Sequence, residues 1–280
     1  FLESKAKANL AGFSALMLWS SSAILTAYCK GIPVFLLAAI SAAVGFSIFL
    51  IKWRLGGEKI AEHFRIKKSI IALAAIGIGG SRLLYLAAFK YAPAVEANLI
   101  NYLWPALIVL FSCFLPGEKV KWYHFAGGLT GFAGLVVLLG KKDGFLTGLT
   151  VGHLFALLGA IEWAAFSVVS RLAKGYSSEA IPVSFLLTGV LFMVLHFATG
   201  ETGSITAGQW PYVFSLGVSA GLGYFLWDVG MKHGDIQVLA ASSYLVPLAS
   251  TALLIVFGKG EPSLNVAIAT ILIFLGLGTK

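Results

Sequence analysis

The sequence predicts an all-α integral membrane protein of ten transmembrane helices, arranged as two inverted five-helix repeats with both termini in the cytoplasm. Three observations predict this fold: the composition, the number of apolar runs and a repeated residue pattern. The 280 residues are 59% hydrophobic and 11% charged, and their mean hydropathy is +0.91. About a quarter of residues are charged in an ordinary soluble domain. Composition therefore excludes the two soluble domains that length alone would suggest.

Ten apolar runs are long enough to cross the hydrocarbon core of a bilayer, which takes about 20 residues. They are 9–29, 32–51, 69–89, 92–115, 123–140, 151–170, 180–198, 211–231, 236–257 and 264–278. The first run follows Lys5 and Lys7 and could imitate a signal peptide. We expect a retained helix instead, because the run is long enough to span and no small-residue cleavage pattern ends it.

The basic residues indicate how the runs are oriented. Fourteen of the 20 lysines and arginines lie in loops on the side of the N-terminus, five lie in loops on the other side, and Arg82 lies within the third run. Positively charged loops remain in the cytoplasm, so both termini are predicted to be cytoplasmic. The net charge of +8 is thus a topology signal. We expect a lipid bilayer and a small molecule as partners, and no nucleic acid; a monomer suffices, and the oligomeric state stays open.

A residue pattern recurs in the two halves of the chain. Tyr-Leu-Trp-Pro at 102–105 returns as Tyr-Leu-Val-Pro at 244–247, an offset of 142 residues. Trp19 in the first run matches Trp163 in the sixth, at an offset of 144. The sequence therefore contains two related units.

These units are predicted to be 1–145 and 146–280. Each contains five predicted helices, an odd number, so the units must insert in opposite orientations. Inverted repeats about an axis in the membrane plane are a transporter architecture, and the substrate site then lies where the repeats meet.

The repeated segments carry a family resemblance. Residues 99–105 with Gly117-Glu118, and 242–247 with Glu261, resemble the repeated EamA-type signature of the drug/metabolite transporter superfamily. The dense aromatic residues within the runs are most similar to those of the YddG-type exporters of aromatic amino acids. The resemblance implies efflux of small metabolites across the inner membrane, through a central cavity formed mainly by the third, fourth, eighth and ninth helices. Small multidrug-resistance relatives use a glutamate in the first helix; this first helix has no carboxylate, so that route of proton coupling is not predicted.

Aromatic and polar residues inside the runs are the predicted substrate-binding residues. The aromatic ones are Trp19, Tyr85, Tyr102, Trp104, Trp163, Tyr224, Trp227 and Tyr244, and the polar ones are Arg82, Asn98, Asn101 and Ser243. Tyr and Trp also form belts at membrane interfaces, but most of these rings lie several residues inside their runs. By repeat symmetry, Tyr85 should face Trp227, and Tyr102 should face Tyr244. For the asparagines the alternative is interhelical hydrogen bonding as packing.

Arg82 is the most costly residue to insert, because a cation near mid-helix costs about 3 kcal/mol on insertion scales. It could pair structurally with a carboxylate of another helix. Alternatively, it could anchor a substrate carboxylate, since a guanidinium offers two parallel donors. Tyr85, three residues later, lies on the same helix face.

Three carboxylates lie within or beside the runs. We expect Glu96 and Asp228 to be wetted at the membrane interface, because they lie near run ends. Glu162, in the middle of the sixth run, is the candidate for proton coupling.

Prolines and glycines complete the site and packing predictions. Pro105 and Pro247 are predicted hinges, because each removes a backbone hydrogen bond. The glycine pairs 127/131 and 217/221 predict close helix packing. His153 and His196 have no ligand partners at metal-binding spacing, and no cofactor or catalytic motif is present.

Three functions compete. The first is a secondary exporter of amino acids, with aromatic and other apolar ones favoured, that works by alternating access. The second is the same fold exporting drugs or other small metabolites such as nucleosides; a nucleotide-sugar carrier would need several buried cations, whereas only Arg82 lies within a run. The third is a membrane-embedded enzyme or accessory subunit, which convergent titratable or metal-binding groups would indicate, and none converge. Facilitated diffusion and proton antiport both stay open as the energy source.

Overall fold

A computed structural model describes residues 4–117, 121–139, 149–259 and 261–278. Within these ranges the chain forms helices and no strand, which confirms the all-α prediction. The α-helices, in chain order, are α1 (Lys5–Ser20), α2 (Ser22–Tyr28), α3 (Val34–Leu55), α4 (Ile60–His63), α5 (Lys68–Ala75), α6 (Ser81–Tyr91), α7 (Ala94–Asn101), α8 (Trp104–Ser112), α9 (Trp122–Leu139), α10 (Val151–Leu172), α11 (Ala180–Ala198), α12 (Trp210–His233), α13 (Ile236–Ser242), α14 (Leu245–Val256) and α15 (Leu264–Gly278). A π-helical turn, Ile76–Gly80, joins α5 to α6.

Seven helical stretches are long and apolar enough to cross a membrane. They are Lys5–Tyr28, Val34–Leu55, Lys68–Tyr91, Val151–Leu172, Ala180–Ala198, Ala207–His233 and Ile236–Val256. Trp122–Leu138 and Leu264–Gly276 are shorter apolar helices. Large apolar side chains point outward along these helices, for example Leu129 at 67% and Val190 at 64% exposure. Such a surface suits lipid rather than water.

The fourth predicted run differs from the prediction, because it forms two helices instead of one. The segment 102–103 separates α7 from α8, and Pro105 lies in the first turn of α8. Proline has no N–H with which to bond the carbonyl four residues earlier, at Asn101, so the helix cannot run straight through. The N–H of Leu103 instead donates to the carbonyl of Ile100, at 3.1 Å.

The ninth run is interrupted at the same motif. The segment 243–244 separates α13 from α14, and Pro247 follows at the third position of α14. The N–H of Tyr244 turns to the carbonyl of Ala241, at 3.3 Å. Under the 142-residue offset that relates the Tyr-Leu-x-Pro motifs, the two interruptions agree to within one residue.

Helix pairs from different halves of the chain form the main contacts. α1 packs along α12, and α6 packs along α10. α3 packs against α11, and α9 packs against α15. Each of these pairs joins a helix from before residue 146 to one after it, so the interior lies between the two halves.

The predicted close packing of glycine pairs is confirmed. A Cβ placed on Gly221 would lie 2.5 Å from the Cα of Gly45, and one on Gly217 would lie 2.5 Å from the Cβ of Val44. The backbones of α12 and α3 therefore touch. A Cβ on Gly131 would lie 2.5 Å from the ring of Tyr244, so the glycine of α9 leaves room for that ring.

Candidate substrate site

Five aromatic side chains from four helices meet in the interior, and we call them the aromatic cluster. They are Trp19 of α1, Trp104 of α8, Trp163 of α10, and Tyr224 and Trp227 of α12. The centroid of the Trp19 ring lies 5.5 Å from the centroids of both Tyr224 and Trp227. Trp163 lies 5.5 Å from Tyr224, and Trp104 lies 5.6 Å from Trp227. Most of these pairs are edge-to-face, a geometry that aromatic quadrupoles favour.

Three members of the aromatic cluster are buried, and Trp19 and Tyr224 are partly buried. Trp227 is 0% exposed, and Trp104 and Trp163 are each 8% exposed. The indole N–H of Trp227 is satisfied, because it donates to the hydroxyl of Ser167 at 3.0 Å. Both halves contribute rings to the cluster, so any separation of the halves must pull rings apart.

Two phenylalanines extend the cluster, and the sequence interpretation missed them. The ring of Phe166 lies 5.5 Å from that of Trp163, and the ring of Phe185 lies 6.4 Å from that of Tyr224. Phe166 could have been found, because it lies three residues after Trp163 and so shares its helix face. Phe185 could not have been found in this way, because α11 contains no predicted site residue at helical spacing from it.

Three of the predicted site residues, Tyr85, Asn98 and Asn101, form hydrogen bonds between helices. The hydroxyl of Tyr85 donates to the side-chain oxygen of Asn98 at 2.8 Å, which joins α6 to α7. Asn101 donates to the backbone carbonyl of Ala156 on α10 at 3.4 Å. The bond of Asn101 matches the alternative interpretation, interhelical packing.

Tyr102, Ser243 and Tyr244 are not part of the aromatic cluster. Tyr102 packs instead against a separate apolar group that contains Tyr244 and Leu135 of α9. The hydroxyl of Ser243 bonds the carbonyl of Leu239 within its own helical turn, at 2.9 Å. Tyr102 and Tyr244 are thus brought together beside α9, away from the tryptophans.

Tyr85 and Trp227 do not form a ring pair among the described residues. The ring partner of Tyr85 is Phe89, with centroids 4.5 Å apart. Trp227 pairs with Trp19, Trp104 and Trp163. The two matched residues therefore lie in different surroundings.

Arg82 lies one turn before Tyr85 on α6. Among the residues that the structure describes it has no ion pair, and its buried Nε atom has no hydrogen-bond partner. None of the described carboxylates thus serves as its structural partner.

Glu162 lies on α10 beside Trp163, and it is packed against the π-helical turn. A Cβ added to Gly80 would overlap the Oε1 atom of Glu162. The other carboxylate oxygen, Oε2, is buried and has no hydrogen-bond partner among the described residues.

The expectation that Glu96 and Asp228 are wetted at the interface is wrong, because both are buried and paired. Glu96 is 8% exposed, and its Oε2 lies 2.8 Å from the Nε2 of His153. Asp228 is 2% exposed and forms an ion pair of 2.7 Å with Lys232, one turn later on α12. Burial of these charges is possible because each has an oppositely charged or hydrogen-bonding partner. No group of metal ligands occurs among the described residues.

An ion pair and a hydrogen bond connect the start of α1 to the loop between α12 and α13. Lys5 forms an ion pair of 2.6 Å with Asp235, and the N–H of Asp235 donates to the side-chain oxygen of Asn9 at 2.6 Å. Burial alone would raise the pKa of Asp235, but hydrogen bonds from Lys5 and from the N–H of Val238 outweigh it and lower the pKa.

A depressed pKa at Asp235 predicts a pH-dependent contribution to stability. The contribution is present above the ordinary aspartate pKa of about 3.9, and it is lost as the pH falls through the lower folded value. Asp235→Asn keeps the helix N-cap but removes the charge, so we expect it to melt lower than wild type at pH 7. The difference should be small, since Lys5 is largely exposed and such pairs contribute at most about 1 kcal/mol. Thermal unfolding in detergent at pH 3 to 7 measures it, and a difference that persists unchanged at pH 3 would contradict the ion-pair explanation.

Known proteins resemble the chain over nearly its whole length. The model of the EamA-like transporter family matches residues 6–140 and again residues 150–278. The aromatic amino acid exporter YddG of Ancylobacter novellus is 37% identical over 277 residues, which cover 98% of this chain and 96% of that protein. The Escherichia coli exporter of the same name is 29% identical, covering 88% and 87%.

A solved structure agrees with these relatives. A crystal structure of a protein 36% identical in sequence superimposes with a TM-score of 0.93, covering 99% of this chain and 96% of that one. The uncharacterized inner membrane transporter YedA of Escherichia coli is more distant, at 24% identity over 92% of this chain and 80% of its own length. The chain, with its apolar helices and two family matches, therefore belongs to the EamA-like transporter family of the drug/metabolite transporter superfamily and is a membrane transporter, not an enzyme.

Proposed function

We propose that this protein exports amino acids, aromatic and other apolar ones preferentially, from the cytoplasm across the inner membrane. The observation that carries the proposal is the aromatic cluster, whose rings come from helices of both halves. Aromatic rings that separate can pair with the planar side chain of a substrate, each pair stabilising it by about 0.5–1.5 kcal/mol beyond burial. Two relatives named as aromatic amino acid exporters support the same cargo.

We also propose that ten helices cross the membrane as two inverted repeats, 1–145 and 146–280. The packing pattern supports this, because α1 and α12 are the first and eighth runs, and exchanging the repeats turns this pair into α10 and α6, which also pack together. The pairs α3/α11 and α9/α15 exchange into themselves. The matching interruptions at 102–103 and 243–244, and the two family matches, support the same division.

Cytoplasmic termini predict the accessibility of the native cysteines. Cys113, after α8, is exposed, whereas Cys29 is buried. With Cys29→Ser, a membrane-impermeant maleimide should label Cys113 only after the inner membrane is broken. Ser204→Cys, in the exposed loop before α12, should be labelled in intact cells when both native cysteines are replaced by serine. The reverse labelling pattern would reject the proposed orientation.

Alternating access is the proposed mechanism, with Pro105 and Pro247 as hinges next to the two helix interruptions. Alanine would restore the missing backbone hydrogen bond and stiffen the segment. We expect Pro105→Ala and Pro247→Ala to lower the transport rate about tenfold or more while phenylalanine binding changes less, because about 1.4 kcal/mol added to the barrier is tenfold. Pro262→Ala, in an exposed loop, is the matched control. Wild-type rates in both hinge variants would reject the hinge role.

Reconstitution in liposomes tests the function and its energy source together. Radiolabelled phenylalanine is followed in protein-containing and protein-free vesicles, with and without a proton gradient. Absence of flux in both conditions would reject amino acid export. If the gradient drives flux, Glu162 is the proposed coupling group, and Glu162→Gln should abolish the dependence on the gradient. Flux that ignores the gradient would indicate facilitated diffusion.

A further inference from the structure

Arg82 and Glu162 are opposite charges on neighbouring helices that do not pair with each other. α6 and α10 pack side by side. The carboxylate of Glu162 lies against Gly80, which precedes Arg82 by two residues in the chain. Yet Nε of Arg82 and Oε2 of Glu162 are both buried without a hydrogen-bond partner in the described part of the chain.

The π-helical turn holds Glu162 in this position. Its glycines leave room for side chains of other helices: Gly77 for Phe166, Gly79 for Thr188 and Gly80 for Glu162. A π-helical turn places one extra residue in a helix and often occurs at functional sites. Gly77 and Gly80 thus accommodate two side chains of α10, Phe166 and Glu162, and Gly79 accommodates Thr188 of α11.

An unpaired charge inside a membrane protein is costly, and removing one partner of a buried pair is strongly destabilising. Two such charges left separate on adjacent helices therefore indicate an occupant that pairs with both. A lone anion would satisfy Arg82 only, and a lone cation would satisfy Glu162 only. A zwitterion satisfies both groups and leaves the site neutral.

We infer that Arg82 and Glu162 together bind the backbone of a free α-amino acid, with the carboxylate on the guanidinium and the ammonium on the carboxylate of Glu162. This inference rests on the proposed export of amino acids. Trp163 follows Glu162 directly, and its ring belongs to the aromatic cluster, so the cluster receives the substrate side chain. Selection for a zwitterion excludes monoamines and aryl carboxylic acids of the same size, because each leaves one of these two charges unpaired.

Unmodified protein tests the inference first. Binding of phenylalanine, phenylalaninamide and 3-phenylpropionate is measured by calorimetry in detergent. The amide keeps the ammonium but lacks the carboxylate, and the acid keeps the carboxylate but lacks the ammonium. We expect phenylalanine to bind at least tenfold more tightly than either analogue. Equal affinity for phenylalanine and either analogue overturns the inference without any mutation.

Two variants then assign each end of the ligand. Glu162→Gln should weaken phenylalanine and phenylalaninamide at least tenfold and leave 3-phenylpropionate within about twofold. Arg82→Gln should weaken phenylalanine and 3-phenylpropionate at least tenfold and leave phenylalaninamide within about twofold. Arg65→Gln and Glu62→Gln, both exposed, are the matched controls. Retained binding of one analogue in each variant also shows that the variant is folded.

Failure of the inference differs from failure of the proposed function. If the wild type transports phenylalanine and both variants weaken all three ligands alike, the two-point binding of the zwitterion is wrong and export stands. If the wild type neither binds nor transports phenylalanine, amino acid export is wrong, and the inference falls with it.

Discussion

Replacing Trp163 with alanine should lower phenylalanine transport at least tenfold in kcat/KM. The Trp163 ring lies within 6.4 Å of the rings of Trp19, Trp104, Tyr224 and Trp227, so it is the most connected member of the aromatic cluster. Losing two ring contacts with the substrate would cost about 1–3 kcal/mol, and about 1.4 kcal/mol is a factor of ten. Initial rates of counterflow in proteoliposomes measure the change.

Two controls make this result specific. Trp122→Ala removes a tryptophan that is 78% exposed and should leave the rate unchanged. Trp163→Phe keeps an aromatic ring and should recover most of the phenylalanine rate. A Trp163→Ala protein that is folded and transports phenylalanine at the wild-type rate would remove the cluster from the substrate site.

Gly221→Ala should lower the stability of the protein by adding a single methyl group. The added Cβ would meet the Cα of Gly45 at 2.5 Å, and backbone cannot move aside as a flexible side chain can. Overpacking of this kind costs roughly 1–3 kcal/mol, so the melting temperature in detergent should fall. Gly208→Ala meets no atom within 4 Å and is the matched control. Equal melting of the two variants would contradict direct contact between α3 and α12.

Helix positions were predictable because backbone groups in lipid must bond within their own segment. An apolar run of sufficient length therefore has to be a helix, and the predicted run 180–198 coincides with α11. The interruptions were harder to locate. Pro105 predicted a distortion of the helix, but not its place. The break lies before the proline, at 102–103, because the missing proline N–H leaves the backbone of the preceding turn without its helical hydrogen bond. Side chains of α10 and α11 pack against the glycines of the π-helical turn at 76–80. The sequence of the turn does not show which side chains pack there, so the π-helical turn was not predicted.

The grouping of site residues was only partly predictable, because it also depends on which helices pack together. Trp19 and Trp163 were paired by the repeat offset, and their rings lie 5.9 Å apart. Tyr102 follows α7 at a break, so helical spacing no longer fixes its direction, and it packs beside α9 instead of the cluster. The pairing of Asp228 with Lys232 was visible as opposite charges four residues apart. Its burial was not visible, since that depends on the helices around α12.

Competition for phenylalanine counterflow tests most directly whether this transporter serves amino acids through an aromatic, zwitterion-selective site. Proteoliposomes containing the wild-type protein are loaded with phenylalanine, and uptake of the radiolabelled form is measured with excess tryptophan, leucine or uridine outside. We expect tryptophan to inhibit most strongly and leucine less, while uridine leaves the rate unchanged. Inhibition by uridine that equals or exceeds inhibition by tryptophan would contradict the proposed substrate class.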